Sequence, residues 1–475
     1  MSTRRQFLKQ MGLASAGLMI PNVGNVMANT MTSKEREATQ GDKVKIAYIG
    51  IGNRGEQDID EFKKTGMVDV VALCDVDLDG KQAQKVLNMY PNAKRFRDFR
   101  EMFENYSDHF EAVCAAVPDH MHFPVAMMAL HYGKHIYLEK PMCRTFHEAE
   151  LMMAAARKRP NVVTQVGNQG HSEGNYFQFK EWVDAGIIKD VTAVTAHMNN
   201  WRRWHPYDYK MEHMPDADPM PKNMDWNTWL GACQWHPYSE KYHQGNWRSW
   251  YDFGMGALGD WGAHILDPIH EFLNLGLPYE VTMKYAKGHN DFFFPYSSTI
   301  LFRFAARDGM PPVDVTWYDG TDNMPPLPKG YGASEYNADI PSTNQGDTPV
   351  AKVNPGKIIY SRDLTFKGGS HGSTLEIIPS EKAKEMQSKL PEVPKSPSNH
   401  YENFLRACMG MEKTRSPFEI NGVLSQVFCL GVIAQRLNAQ LFFDPRTKQF
   451  TNNEFANALL SGMPPRKGWE DFYKM

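Results

Sequence analysis

The 475-residue sequence has almost no net charge: 52 Lys and Arg against 55 Asp and Glu leave −3 with the histidines neutral. That excludes the basic excess of a nucleic-acid binder, and no block of like charges marks an interaction tail. Beyond the first thirty residues no apolar run is expected to reach the roughly 20 residues that cross a bilayer. Cysteine is sparse: Cys74, Cys114, Cys143, Cys233, Cys408 and Cys429 are the six, with no Cys-x-x-Cys spacing. His205, His213, His236 and His243 also lack metal-ligand spacing, so no metal is expected. No internal repeat occurs. What the chain has in excess is aromatic: 12% of all residues and 11 Trp, eight of them between Trp201 and Trp261. Its length exceeds what one core usually occupies, so two domains are expected.

Residues 1–30 read as an export signal rather than as part of the fold. Arg4-Arg5-Gln6-Phe7-Leu8-Lys9 precedes the apolar stretch Met11–Ile20, and Val26-Met27-Ala28 offers small residues for cleavage. The paired arginines resemble the twin-arginine signal, whose pathway carries folded proteins, often with cofactor bound. A periplasmic location is therefore expected. Disulfides are possible there, but Cys74 and Cys114 sit in apolar runs, which favours buried free thiols.

Residues 43–166 read as a dinucleotide-binding domain. The run Val44–Ile49 leads into Gly50-Ile51-Gly52-Asn53-Arg54-Gly55, a G-x-G-x-x-G that follows a strand and opens a helix. Gly50 suits the tight turn, Gly52 lets backbone approach a pyrophosphate, and Gly55 lets helix and strand pack. A second run, Val68–Cys74, ends at Asp75, where a carboxylate can accept from the adenosine ribose hydroxyls. A 2′-phosphate would meet like charge at Asp75, and no Arg follows in residues 76–79, so NAD is expected over NADP. Ala112–Val117 and His135–Leu138 continue the series, with a helical segment from Met121 to His131 between them. Apolar strands alternating with helices indicate a parallel sheet covered on both faces, with ligands at the strands' carboxyl ends.

Those ends carry a resemblance. His135-Ile136-Tyr137-Leu138-Glu139-Lys140-Pro141 resembles the Glu-Lys-Pro signature of the glucose–fructose oxidoreductase / inositol dehydrogenase (Gfo/Idh/MocA) family. Val117-Pro118-Asp119-His120-Met121-His122 is similar to its nicotinamide-side loop, often Thr-Pro-Asn, with Val and Asp as departures. Val166-Gly167-Asn168-Gln169 and Gly256-Ala257-Leu258-Gly259-Asp260-Trp261-Gly262-Ala263-His264 match further blocks. The resemblance covers roughly residues 43–445. It implies cofactor contacts from Asn53, Arg54, Pro118, His120, His122, Glu139, Lys140 and Asn168, beside Gly50, Gly52, Gly55 and Asp75. It also implies that Lys140, Asp260 and His264 surround the carbon that loses hydride. The chemistry agrees: on a helix Asp260 can orient His264, which can accept an alcohol proton, while Lys140 polarises the same oxygen.

Residues 167–450 are expected to form an α+β domain with an open, largely antiparallel sheet, for substrate binding and oligomerisation. The extended candidates are Asp190–Met198, Tyr279–Tyr285, Ser297–Phe304, Val313–Trp317 and Lys357–Phe366. Residues 319–355 read as a long surface loop, Asn399–Met409 and Val423–Leu437 as helices, and 451–475 as a tail. Within this half, residues 199–253 form an insertion dense in Trp, Tyr and His. Flat rings beside Asn and Arg suit a carbohydrate pocket, with Trp201, Arg203, Trp247 and Arg248 as candidate contacts and Asp267 beside them. The same rings could instead pack as a local core or form a subunit interface.

The expectation is an α/β protein, a Rossmann domain joined to an α+β domain. It would be an exported, homo-oligomeric NAD enzyme, the cofactor tightly bound, moving hydride to or from a sugar, cyclitol or glycoside hydroxyl. Exported relatives of this kind resembling glycoside hydrolase family 109 use retained NAD to cleave glycosides. Their pattern lacks the Glu-Lys-Pro lysine that this chain keeps as Lys140. A non-catalytic sugar-binding protein is the third possibility.

Overall fold

A computed structural model describes residues 42–200, 209–243, 245–332 and 353–474. The expected signal at 1–30, and with it Trp201 and Arg203, lies outside the described residues.

The N-terminal sheet holds six strands: β1 (Val44–Ile49), β2 (Val68–Cys74), β3 (Lys94–Phe96), β4 (Ala112–Ala115), β5 (His135–Leu138) and β6 (Thr164–Val166). All pair in parallel in the order β3-β2-β1-β4-β5-β6, the order of a dinucleotide-binding sheet. Ile46, Ala47, Val113 and Ile136 are fully buried, because helices cover both faces and leave no strand side for water. The helix Phe146–Arg157 starts at a capping box in which Thr145 and Glu148 satisfy each other's backbone N–H.

The second sheet has nine strands. These are β7 (Val191–Met198), β8 (Glu280–Lys287), β9 (Ser297–Phe304), β10 (Val313–Asp319), β11 (Gly356–Ser361), β12 (Thr365–Gly369), β13 (Leu375–Ile378), β14 (Gln440–Asp444) and β15 (Gln449–Phe450). Their order is β13-β12-β11-β7-β10-β9-β8-β14-β15; β7–β10 is the parallel pair and the rest are antiparallel. The mixed, mostly antiparallel sheet has the architecture expected from the sequence.

Three readings need correction. The single extended segment Lys357–Phe366 is a hairpin, because Arg362-Asp363 turns the chain and Ser361 Oγ bonds Leu364 on both its N–H and C=O. The helix Phe418–Leu437 is long and apolar enough to cross a membrane, against the expectation of no such run, but 78% of that span is buried in the protein. The residues after 450 are not a loose tail. They add β15's closing turn and the helix Glu454–Ser461, then bury Trp469 and Phe472 against Phe99 of the nucleotide domain.

The aromatic insertion builds a small core of its own. Trp226, Trp229, Tyr238, Tyr242, Trp250 and Phe253 pack together with Phe293, with Trp226 and Trp229 stacked at 4.4 Å. Among the described residues of the insertion, these rings serve packing.

Candidate functional site

A cleft of about 1340 Å³ runs along the carboxyl ends of β1, β2, β4 and β5 and ends against the helix Gly256–Ile265. Its outer end is the glycine loop. Gly50 has φ +78°, and a Cβ there would lie 2.3 Å from the Ala116 carbonyl oxygen. Gly55 lies beneath the loop, where a Cβ would meet the Gly50 carbonyl at 2.0 Å. Asp75 accepts from the backbone N–H of Ile51 at 2.9 Å and of Asp77 at 3.0 Å. Burial raises its carboxyl above the ordinary range, and these two hydrogen bonds oppose the rise. Asp75 and Asp77 both face the cleft, and Arg97 there is tied to Asp79 at 3.1 Å and to the Asn223 carbonyl. The bare loop backbone and the carboxylate of Asp75 fit a nicotinamide dinucleotide, with ribose hydroxyls as the natural donors to Asp75.

Further in, Arg54 reaches from the loop to Glu139 Oε1 at 3.1 Å, Asp58 at 2.9 Å and the Tyr401 hydroxyl at 2.9 Å. Gln169 also donates to Glu139, at 3.1 Å. Asn53, Pro118, Glu139 and Lys140 join Gly50, Gly52 and Arg54 in lining the cleft. The Lys140–Pro141 peptide is cis.

The inner end is lined by Lys140, Arg248, Asp260 and His264. Lys140 Nζ donates to Asp260 Oδ1 at 2.7 Å and to the Asp260 carbonyl at 2.8 Å. Asp260 thus anchors the lysine, where the sequence led us to expect it to orient His264. Arg248, stacked on Trp247 at 4.3 Å, lies 3.6 Å from the same Oδ1. Its Nη1 also meets Asp119 Oδ1 at 3.2 Å. His264 is 8% exposed and stacks on His371 with centroids 3.9 Å apart and planes 15° from parallel. The His371 N–H donates to the His264 carbonyl at 3.0 Å, and both imidazoles face the cleft beside Trp261.

Four expected contacts are not part of the cleft wall. His120 is buried between the carbonyls of Trp229 (2.7 Å) and Phe253 (3.3 Å), and burial pushes it down to about 3. His122 lies between the carbonyls of Pro141 (2.6 Å) and Val117 (2.9 Å). Asn168 donates to Asn421 at 2.5 Å. These three tie loops together behind the cofactor side. Asp267 is likewise withdrawn, 2.5 Å from the buried His171 Nε2. Trp247 and Arg248 do line the cleft.

Sequence reasoning missed His371 and Tyr401, and it placed Asp119 only within the polar strand exit Val117–His120. His371 carried a readable signal, a lone His at the Gly368–Gly372 bend between two strands, where it adopts φ 51°. Tyr401 had none, since it meets Arg54 across 347 positions.

Comparison with known proteins agrees with the fold. The family description "Oxidoreductase family, NAD-binding Rossmann fold" matches residues 44–167, and "Oxidoreductase family, C-terminal alpha/beta domain" matches 175–344 and 356–471. The chain belongs to the Gfo/Idh/MocA oxidoreductase family. A glycosyl hydrolase family 109 protein of Shewanella baltica (strain OS155 / ATCC BAA-1091) is 29% identical over 294 residues, 57% of this chain and 55% of its own. The chain thus spans about half the length of the curated relatives it matches. A WlbA dehydrogenase from Bordetella pertussis, solved with NADH and UDP-GlcNAcA, shares the fold with TM-score 0.55 and 14% identity, over 85% of this chain and 99% of that one. A levoglucosan dehydrogenase solved with NADH and L-sorbose aligns with TM-score 0.53 and 13% identity, over 84% and 99%.

Proposed function

We infer that this chain is an NAD-dependent oxidoreductase acting on a hydroxyl carbon of a sugar, cyclitol or glycoside. The observation that carries the reading is the single cleft joining the glycine loop and Asp75 to the Lys140, Asp260 and His264 cluster. When bound, NAD supplies the hydride acceptor. Gly50, Gly52, Asn53, Arg54 and Asp75 hold the dinucleotide, and Glu139 and Pro118 face its reactive end. Lys140, its ammonium aimed by Asp260, hydrogen-bonds the substrate oxygen. His264 accepts the hydroxyl proton as the C–H bond breaks. Trp247 and Arg248 form the sugar-facing wall.

Residues 1–30 direct twin-arginine export to the periplasm. The cofactor stays bound and is recycled, because an exported enzyme cannot draw on the cytoplasmic NADH pool. Copies assemble through the second sheet, supported by the exposed rings Tyr285 and Phe442 on β8 and β14. The names of the glycosyl hydrolase relatives favour a second reading, glycoside cleavage through transient oxidation; retention of Lys140 argues for net oxidoreduction.

The test uses the full chain as purified. Lys140→Ala and His264→Ala should each lower NAD-linked turnover across a panel of aldoses and cyclitols roughly 10²–10⁴-fold, and undiminished turnover overturns the assignment. Release of aglycone from aryl glycosides without added NAD or net NADH would replace the first reading with the second.

A further inference from the structure

Asp119 is 1% exposed and stands where the nicotinamide-side loop enters the helix Asp119–His131. Its two oxygens do three things. Oδ1 lies 3.2 Å and Oδ2 3.5 Å from Arg248 Nη1. Oδ2 also accepts the Met255 N–H at 3.0 Å, one residue before the helix that carries Asp260 and His264. One carboxylate thus joins the cofactor loop, the aromatic insertion and the start of the reactive helix.

The charges alternate along the line Lys140, Asp260, Arg248, Asp119. The ammonium lies 2.7 Å from Asp260 Oδ1, and the guanidinium is 3.6 Å from that same oxygen. Two cations therefore share one carboxylate oxygen, and Arg248 stays at the longer distance because Asp119 draws it from the other side. All four groups are largely withdrawn from water, with side-chain exposures of 13%, 5%, 18% and 1%, so screening is weak and their mutual arrangement matters.

We propose that Asp119 is a positioning residue that keeps Arg248 from displacing Lys140 at Asp260, and so fixes the ammonium facing the substrate oxygen. Without its charge, Arg248 moves onto Asp260 Oδ1 and the lysine is released. The same link makes the insertion, through Arg248, part of the reactive centre's alignment. The inference rests on the proposed role of Lys140, and its test does not require turnover.

The probe is acetylation by sulfo-N-hydroxysuccinimidyl acetate of the full chain with NAD present, followed at Lys140 by mass spectrometry. Asp119→Asn retains an acceptor for the Met255 N–H and should speed Lys140 labelling about tenfold, the worth of roughly one charge-assisted contact. Asp119→Glu should restore the slow rate. Arg248→Gln removes the competitor and should slow labelling, and in that background Asp119→Asn should add nothing. Unchanged labelling in Asp119→Asn overturns the inference, as does equal acceleration with and without Arg248, which marks general loosening. If Asp119→Asn does not fold, Arg248→Gln decides: slower labelling supports the link and an unchanged rate overturns it. Failure of the functional reading shows separately, as Lys140→Ala without effect on turnover.

Discussion

His171 has no exposed side-chain surface and sits 2.5 Å from Asp267 and 3.7 Å from Glu271, with its Nδ1 2.7 Å from the Arg415 carbonyl. Burial alone would lower it, but the Asp267 and Glu271 carboxylates raise it to about 9. Burial raises Glu271 to about 7, and Tyr176, Lys357, His270, His400 and Arg415 stand around the cluster. A histidine whose folded value is raised contributes stability that is full below about 6.5 and lost as pH climbs through 9. The melting temperature should therefore fall between pH 6.5 and 8, above which Lys357, pushed down to about 8 by burial, contributes in the opposite sense. His171→Gln should remove that slope in calorimetry while lowering stability by about 3–5 kcal/mol through the unpaired Asp267. His120 and His400, both pushed to about 3 by burial, set the opposite limb: their contribution is lost as pH drops below about 6.5. Among single residues the sequence was legible where chemistry lies in one contiguous motif. Gly50–Gly55, Asp75 and Lys140 line or support the cleft because a strand end delivers them there. His120 and His122 looked alike in the sequence, but both rings turn toward backbone carbonyls, a choice set by partners more than a hundred and about twenty positions away.

Among elements, the C-terminal segment was the least legible, since its polar and Pro-rich stretch Gly462–Lys467 masks the buried rings of Trp469 and Phe472. Trp469 is 2% exposed, stacks near Phe472 and lies under the Arg100 guanidinium at 4.3 Å. Arg466 donates to the carbonyls of Asn227 and Gly231, and Tyr473 to Glu148 at 2.7 Å. The segment is thus a strap across the nucleotide domain and the aromatic insertion. Trp469→Ala should destabilise the chain by about 3–5 kcal/mol in denaturant unfolding, with NAD affinity measured by fluorescence titration left unchanged. The β11–β12 hairpin is hard to read for a related reason: the two-residue turn at Arg362-Asp363 interrupts an otherwise β-prone run. Helices with caps fared better, as Asn399 with Glu402 shows.

For the whole molecule, the fold class came from alternation of strand and helix in the first half and hairpin spacing in the second. The order of the nine strands did not, because β7 pairs with β10 and β11 across more than a hundred residues. The cleft lies between the two halves, so ligand binding should stabilise both together. NAD at a hundredfold excess over its dissociation constant should add about 2.7 kcal/mol, read as a raised melting temperature. NADP at equal concentration should raise it less, because Asp75 and Asp77 repel a 2′-phosphate.

The helix Gly256–Ile265 is tightly packed on the faces that carry Gly259 and Gly262. A methyl group at Gly259 would fall 2.2 Å from Met255 Cβ, and one at Gly262 would fall 2.9 Å from the Phe428 ring. No residue larger than glycine enters there without displacing the core. Variation in the shape of the cleft is therefore left to its other walls, at Trp247, Arg248 and the His371 bend.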